Sequence, residues 1–226
     1  MQSSSSNGSK PSPPHNIPRS DVFFVDRQPD VERLHQLLQQ HTLVAITNGA
    51  SLDGLGKTEL AIQYSHKHLA DYPGGVCWLY PRRSDVGTQL VGFVRGCFAH
   101  IQIPTTLTLA DQLICCWRNW QQGQVLLVVD DVTDYGQLQP YLPSDPRFKL
   151  LITAPSGVKL PIQRSQHLPL PGLPPDEALK LLAALLGEEE VGQETSFAEE
   201  LCAFVGYAPL GLHTIARCRK PEGVLC

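Results

Sequence analysis

Residues 43–64 read Leu-Val-Ala-Ile-Thr-Asn-Gly-Ala-Ser-Leu-Asp-Gly-Leu-Gly-Lys-Thr-Glu-Leu-Ala-Ile-Gln-Tyr, and this stretch decides the fold. It begins with a compact apolar run over 43–47, which predicts a buried strand. It ends with a segment from Lys57 to about Leu69 whose apolar residues recur at helical spacing. The glycine-rich loop between them lets backbone N–H groups approach an anion closely, and the N-terminus of the following helix attracts negative charge. A strand, a loop and a helix in this order predict a phosphate-binding loop.

The end of this loop, Gly54-Leu55-Gly56-Lys57-Thr58-Glu59, carries the residues that we expect to bind a polyphosphate. Lys57 would reach the outer phosphates, and the hydroxyl of Thr58 would bind Mg²⁺. In the standard spacing a glycine would stand at position 51, where this chain has Ser51, and Asp53 places a carboxylate where backbone should meet phosphate. Two interpretations stay open: a phosphate-binding loop of altered geometry, or a degenerate loop on a domain that serves as a scaffold.

A second signal lies at residues 125–131, Val-Leu-Leu-Val-Val-Asp-Asp. An apolar strand that ends in two acids places a carboxylate beside the Mg²⁺ of a bound nucleotide. Asp130 would hold the metal, and Asp131 would orient or deprotonate an attacking water. The alternative is that one acid caps a helix and the other is solvated.

Apolar runs separated by helical patterns recur along the first two thirds of the chain. Because these runs are continuous rather than alternating, they predict a parallel sheet covered by helices on both faces. We therefore predict an α/β fold, a three-layer sandwich of the P-loop NTPase type with a small C-terminal helical subdomain. The runs are 43–47, 76–80, 125–129 and 149–153. The predicted divisions are a disordered tail over 1–20, the nucleotide-binding domain over 21–163 and the helical subdomain over 164–226.

The bulk composition argues against several classes of function. A net charge of −4 and a pI near 6.0 provide no basic field for nucleic acid or an anionic membrane. No apolar run is long enough to span a bilayer, and the first residues lack the apolar stretch of a secretory signal. The seven cysteines are scattered without metal-binding spacing, which is typical of reduced thiols in the cytoplasm. We interpret His66 and His68 as surface residues, since on a helix they point to different faces.

With these motifs in order, the sequence resembles the NB-ARC nucleotide-binding domain of STAND-type signalling ATPases, such as plant resistance proteins and apoptotic protease activating factor. The resemblance covers about residues 22–216. Residues 206–210, Gly-Tyr-Ala-Pro-Leu, are similar to the family's Gly-Leu-Pro-Leu motif. The other matching segments are 24–27, 54–60, 126–132, 149–153 and 168–182.

The resemblance implies roles for individual residues. Lys57 would clamp the β- and γ-phosphates, and Thr58 and Asp130 would hold Mg²⁺. Asp131 would position the attacking water. The resemblance also implies a five-stranded parallel sheet with a small helical domain packed over an adenine nucleotide. The residues that would frame the adenine are Val25, Arg27 and Pro209.

The chain departs from the family in ways that bear on function. Asp26 replaces a glycine on the adenine side, and Ala154-Pro155 stands where the family has a Thr-Arg pair that contacts the γ-phosphate. We therefore predict a regulatory switch domain that binds ADP or ATP with Mg²⁺ and hydrolyses ATP slowly or not at all. The alternatives are a non-binding scaffold and another P-loop enzyme, such as a small-molecule kinase. Residues 168–182 and 206–210 disfavour the kinase.

Family members usually continue into a winged-helix domain and a repeat array. Since this sequence ends at Cys226, we expect the helical subdomain to be truncated. We also expect protein partners if the chain is part of a larger regulator, and neither nucleic acid nor membrane as a partner.

Overall fold

In the computed structural model, which describes residues 12–20, 27–49 and 53–219, five parallel strands form one sheet. The sheet order is β2-β3-β4-β1-β5, so the first strand lies inside the sheet, with a neighbour on each side. Val44 pairs with Leu151 of β4, and Ile46 pairs with Leu168 of β5. The strands are β1 (Leu43–Asn48), β2 (Gly75–Leu79), β3 (Val125–Val129), β4 (Phe148–Thr153) and β5 (His167–Leu170).

Helices cover both faces of this sheet. Helices α1 (Gln28–Gln40) and α2 (Lys57–Lys67) pack on one face, against residues such as Val44 and Val128. Helices α3 (Val86–Cys97) and α4 (Leu109–Asn119) pack on the other face, against Ala45 and Val129. Successive strand residues therefore enter opposite core layers, which is why β2 and β3 are buried at every position. This confirms the predicted α/β sandwich around a parallel sheet.

The remaining helices form a separate cluster after the sheet. They are α5 (Pro175–Leu186), α6 (Glu188–Gln193), α7 (Thr195–Phe204) and α8 (Pro209–Arg219), and they share their own apolar core. The longest helix of the described ranges has 13 residues, and none there is both long and apolar enough to cross a bilayer.

Strand β5 corrects the predicted domain boundary. The predicted helical subdomain begins at residue 164, but β5 hydrogen-bonds to β1 as an edge strand of the sheet. Leu168 and Leu170 are buried in the same core layer as α1 and α2. The sheet core therefore extends to Leu170. The sequence predicts for 167–173 a proline-rich crossing segment with at most one short strand, because proline within a sheet is confined mainly to its edges.

Residues 12–20 also differ from the prediction of a disordered tail over 1–20. The backbone N–H of Val76 in the edge strand β2 donates to the carbonyl of Pro14 at 2.9 Å. The Asn16 side chain donates to the carbonyl of Trp78 and accepts from its N–H, and Ile17 is buried. A polar, proline-rich segment is ordered here because it satisfies the exposed edge of the sheet. Residues 1–11 lie outside the described ranges.

Candidate functional site

A cavity of about 540 Å³ lies where β1 and β3 end and α8 returns over the sheet. It brings together every predicted site residue that the structure describes; Val25 and Asp26 lie outside the described residues. The predicted residues that line it are Arg27, Gly54, Leu55, Gly56, Lys57, Thr58, Glu59, Asp130, Asp131 and Pro209.

Two glycines shape the phosphate loop. Gly54 and Gly56 have φ values of 78° and 91°, a left-handed conformation that other residues rarely adopt. A Cβ on Gly54 would also meet Leu210 of α8 at 2.6 Å. The N–H of Leu210 donates to the carbonyl of Gly54 at 3.2 Å. The loop is therefore in direct backbone contact with the helical region, and only glycine allows that approach.

On the opposite side of the loop, Asn48 joins two charged residues. Its Oδ1 accepts a hydrogen bond from the ammonium of Lys57, and its Nδ2 donates to the carboxylate of Asp53 at 3.0 Å. Asp53 is exposed and does not line the cavity. This differs from the prediction that its carboxylate stands where backbone meets phosphate: the side chain turns toward Asn48 and solvent. Ser51 lies outside the described residues.

The residues predicted to hold Mg²⁺ are joined by hydrogen bonds at the buried carboxylate of Asp130. Oδ1 of Asp130 accepts from Thr58 Oγ1 at 2.8 Å and from Thr153 Oγ1 at 2.6 Å. Thr153 Oγ1 accepts in turn from the N–H of Asp131 at 2.8 Å. Asp130 is 8% exposed, and a buried carboxylate is stable only when it has such donors. A carboxylate and a hydroxyl side by side are the oxygen ligands that Mg²⁺ prefers.

Asp131 has an unusual backbone conformation. Its φ of 61° is uncommon for a residue with a side chain, although aspartate tolerates it better than most. Its carboxylate pairs with Nε of Arg82 at 3.1 Å, and both side chains are at least half exposed. Arg82 lies in the loop between β2 and α3, and it belongs to no motif that would single it out in the sequence. Such an exposed pair is weak and would not hold Asp131 rigidly.

Arg27, predicted on the adenine side, is buried where α1 begins. Both terminal nitrogens of its guanidinium donate to the carbonyl of Pro171 at 3.2 Å, just after β5. It also pairs with Asp30 at 3.4 Å. These contacts fix one wall of the cavity. Pro209 stands at the start of α8 and lines the same cavity.

Sequence reasoning missed one face of α8. His213 carries a buried Nε2 with no hydrogen-bond partner in the described part of the chain. Burial lowers the pKa of its imidazole, and the positive charge of Arg217 lowers that pKa further. His213, Thr214 and Arg217 lie three, four and seven positions after Leu210, which is the spacing of one helix face. That spacing could have identified them once Pro209 was placed in the site. The lining residues not predicted are Thr153, Leu173, Leu181, Leu210, His213, Thr214 and Arg217.

Comparison with known proteins relates the chain to a regulator. No protein family matches in a comparison with family descriptions. The regulatory protein AfsR of Streptomyces griseus is 29% identical over 213 residues, which span 90% of this chain and 21% of that protein. The regulatory protein AfsR of Streptomyces coelicolor is 28% identical over 218 residues, 90% of this chain and 22% of that protein. The chain thus spans about a fifth of the length of these curated relatives.

Two solved structures share the architecture. A Walker-type ATPase of Pyrococcus abyssi has a TM-score of 0.59 and 13% identity, covering 88% of this chain and 69% of that one. Cdc6p of Pyrobaculum aerophilum has a TM-score of 0.51 and 13% identity, covering 74% of this chain and 50% of that one. At such identities the likeness concerns the fold. The chain has a P-loop ATPase fold and is homologous to a regulatory protein.

Proposed function

We propose that this chain is an adenine-nucleotide-binding switch domain of the NB-ARC type, which binds ADP or ATP with Mg²⁺ and turns ATP over slowly or not at all. The observation that carries the proposal is the convergence of Lys57, Thr58 and Asp130 on one cavity at the carboxyl end of the sheet. In open parallel α/β sheets, ligands bind at that end. The homology to a regulatory protein supports a switch over a metabolic enzyme.

The walls of the cavity suit the parts of a nucleotide. Leu173, Leu181 and Pro209 offer an apolar surface for a base, and Lys57 offers a cation at the start of α2 for the phosphates. Thr58 and Asp130 offer hard oxygen ligands for Mg²⁺. Since the cavity volume of about 540 Å³ lies within the ordinary range of small-ligand sites, the whole set could serve one bound nucleotide.

We base the proposal of slow ATP hydrolysis on Ala154 and Pro155, the two residues that come directly after β4. Ala154 is buried and its N–H donates to the carbonyl of Ile46 at 3.0 Å, so this position serves the sheet. With Ala154 and Pro155 there, no guanidinium from this segment would stabilise charge on a transferring phosphoryl group. Arg82 is close to Asp131 but exposed, which leaves it free to move.

Switching is proposed from the contact between the loop and α8. A nucleotide that orders the phosphate loop would act on Gly54, and through Leu210 on the helical region. Any conformational effect requires that the two nucleotide states contact the loop or α8 differently.

The proposal is tested by extracting nucleotide from the purified full chain and identifying it by chromatography. We expect ADP at close to one per chain, and no stimulation of phosphate transfer by candidate small-molecule acceptors. A chain without nucleotide that also fails to take up added ADP would instead be a scaffold that retains only the fold. Acceptor-dependent ATP consumption would favour a small-molecule kinase.

A further inference from the structure

A second cluster of ligand-type side chains lies outside the nucleotide cavity. It consists of His35 in α1, His68 at the C-terminal cap of α2, and Asp71 in the short turn after that helix. One ligand atom from each lies within 4.8 Å of the others. None of the three lines the cavity described above. The cluster therefore needs an explanation of its own.

His68 is the best-positioned member of this cluster. Its Nδ1 lies 2.8 Å from a carboxylate oxygen of Asp71. The centroid of its ring lies 4.1 Å from that of His35 and 4.7 Å from that of Tyr64, and both pairs of rings are stacked. Its Nε2 is buried and has no hydrogen-bond partner among the described residues. The prediction that both His66 and His68 are surface residues is therefore wrong for His68, whose side chain is 15% exposed. An imidazole nitrogen that has no hydrogen-bond partner is available to ligate a metal ion.

We propose that His35, His68 and Asp71 form a site for one divalent cation of the zinc class. Two imidazoles and one carboxylate suit zinc and related transition metals, whereas magnesium and calcium prefer oxygen ligands alone. Three atoms within 4.8 Å of one another can all lie within about 2.8 Å of a common point. Bonds to zinc are about 2.0–2.2 Å long. Each nitrogen lone pair lies in its ring plane and must point at the ion, so the His35 ring would turn out of its nearly parallel stack on His68 as the ion binds.

The ion would connect two helices whose N-terminal ends carry residues of the proposed nucleotide site. Helix α1 begins beside Arg27, and α2 begins with Lys57. Ring contacts among His35, His68 and Tyr64 already join these helices, and an ion would replace the stack of the two imidazoles by a bond to each of them. The ammonium of Lys67 acts on His35 electrostatically and opposes a cation. We therefore expect Lys67→Gln to tighten zinc binding.

The test is a titration of the full chain with Zn²⁺, followed by calorimetry and by thermal unfolding. We expect one ion per chain, with a rise in Tm of roughly 5–10 °C at a hundredfold excess over Kd. His35→Asn and Asp71→Asn should each weaken binding by at least about tenfold, the size of one lost ligand interaction. The matched control is His66→Asn, an exposed histidine of the same helix, which should leave binding unchanged. Circular dichroism and Tm without metal establish that each variant folds.

Substituting Co²⁺ separates this site from the cysteines and does not depend on any variant. Histidine and carboxylate ligands should give visible d–d bands without the thiolate charge-transfer band in the near ultraviolet. That band, or zinc binding that survives both His35→Asn and Asp71→Asn, would overturn the proposal. So would an absence of saturable binding, which would leave the stacked rings as a packing contact between α1 and α2.

Discussion

On one side of the proposed nucleotide cavity, which we call the metal side, hydrogen bonds of 2.6–2.8 Å join Thr58, Asp130 and Thr153. The bond between Asp130 and Thr153 is buried, whereas Thr58 is exposed. On the other, the phosphate side, the side-chain amide of Asn48 joins Lys57 and the exposed Asp53. The metal side is held by the sheet itself, since Asp130 and Thr153 follow or end adjacent strands. The phosphate side is a loop, and its residues 50–52 lie outside the described ranges.

This difference separates the contacts that the fold fixes from those that a ligand must organise. A buried carboxylate with two hydroxyl donors is pre-organised, so it needs little rearrangement to meet a metal-bound nucleotide. Lys57 must exchange the oxygen of Asn48 for a phosphate oxygen. Mutations on the metal side should therefore affect stability as well as binding, whereas those on the phosphate side should affect binding alone.

The largest expected effect is on the rate of ATP hydrolysis, because hydrolysis requires both the metal side and the phosphate side of the cavity. Without an arginine at positions 154 and 155, we expect ATP hydrolysis below about 1 s⁻¹, the lower end for ordinary enzymes. Arginine contacts of this kind contribute on the order of 10³-fold or more. Multiple-turnover phosphate release measures the rate, and Asp131→Asn controls for contaminating ATPase. Steady release near one per second that Asp131→Asn abolishes would contradict this prediction.

Lys57→Ala should weaken ADP binding by about tenfold or more. It removes a charge-assisted contact of roughly 1.5–3 kcal/mol and leaves phosphate oxygens unpaired. The control is Lys67→Ala at the far end of the same helix, which should bind ADP as the unmodified chain does. The unfolding free energy of both variants should change little. Equal ADP affinities in calorimetry would mean that the loop is not the site.

Thr153→Val tests the metal side through stability. The substitution removes a donor to Asp130 and the acceptor for the N–H of Asp131, both in a residue that is 1% exposed. We expect a loss of about 1–3 kcal/mol in the free energy of unfolding, measured in denaturant. Thr153→Ser keeps the hydroxyl and should lose markedly less. If valine and serine destabilise equally, packing rather than hydrogen bonding stabilises this cluster.

Asp53→Gly should have the smallest effect. Because the side chain is exposed and turned toward Asn48, its repulsion of a phosphate about 8 Å away in water is only about 0.5 kcal/mol. Removing the charge should tighten ADP binding about two- to threefold, measured by titration with and without Mg²⁺. Asp53→Asn, which removes only the charge, should tighten it similarly. Weaker binding of the glycine variant in both conditions would refute the repulsion argument.

The sheet was predictable because its central strands are continuous apolar runs that periodicity identifies directly. The edge strand β2 is such a run as well, but the other edge elements were less clear. Pro169 weakened the signal of β5, and the polar residues 12–20 pair with β2 through Asn16, a contact that local composition cannot reveal. Backbone pairing at a sheet edge depends on tertiary context more than on side-chain pattern.

The candidate site was likewise predictable only where local sequence patterns determine it. Lys57, Thr58 and Asp130 were predictable because each belongs to a local motif whose chemistry is readable in a few residues. Thr153 enters the cavity because β4 pairs with β3, and the face of α8 that carries His213 and Arg217 enters it because the chain returns over the sheet. No local pattern encodes that return, although helical spacing from Leu210 would have suggested which residues share the face.

The central claim is that this chain binds an adenine nucleotide, and calorimetric titration of nucleotide-free full chain with ADP and Mg²⁺ tests it most directly. We predict one ADP per chain with a Kd on the order of 1 μM, equivalent to about 8 kcal/mol. ATP should bind no more tightly than ADP, since no arginine at position 154 or 155 contacts a γ-phosphate. A chain that is folded by circular dichroism yet gives neither binding heat nor a rise in Tm at millimolar ADP would contradict the claim.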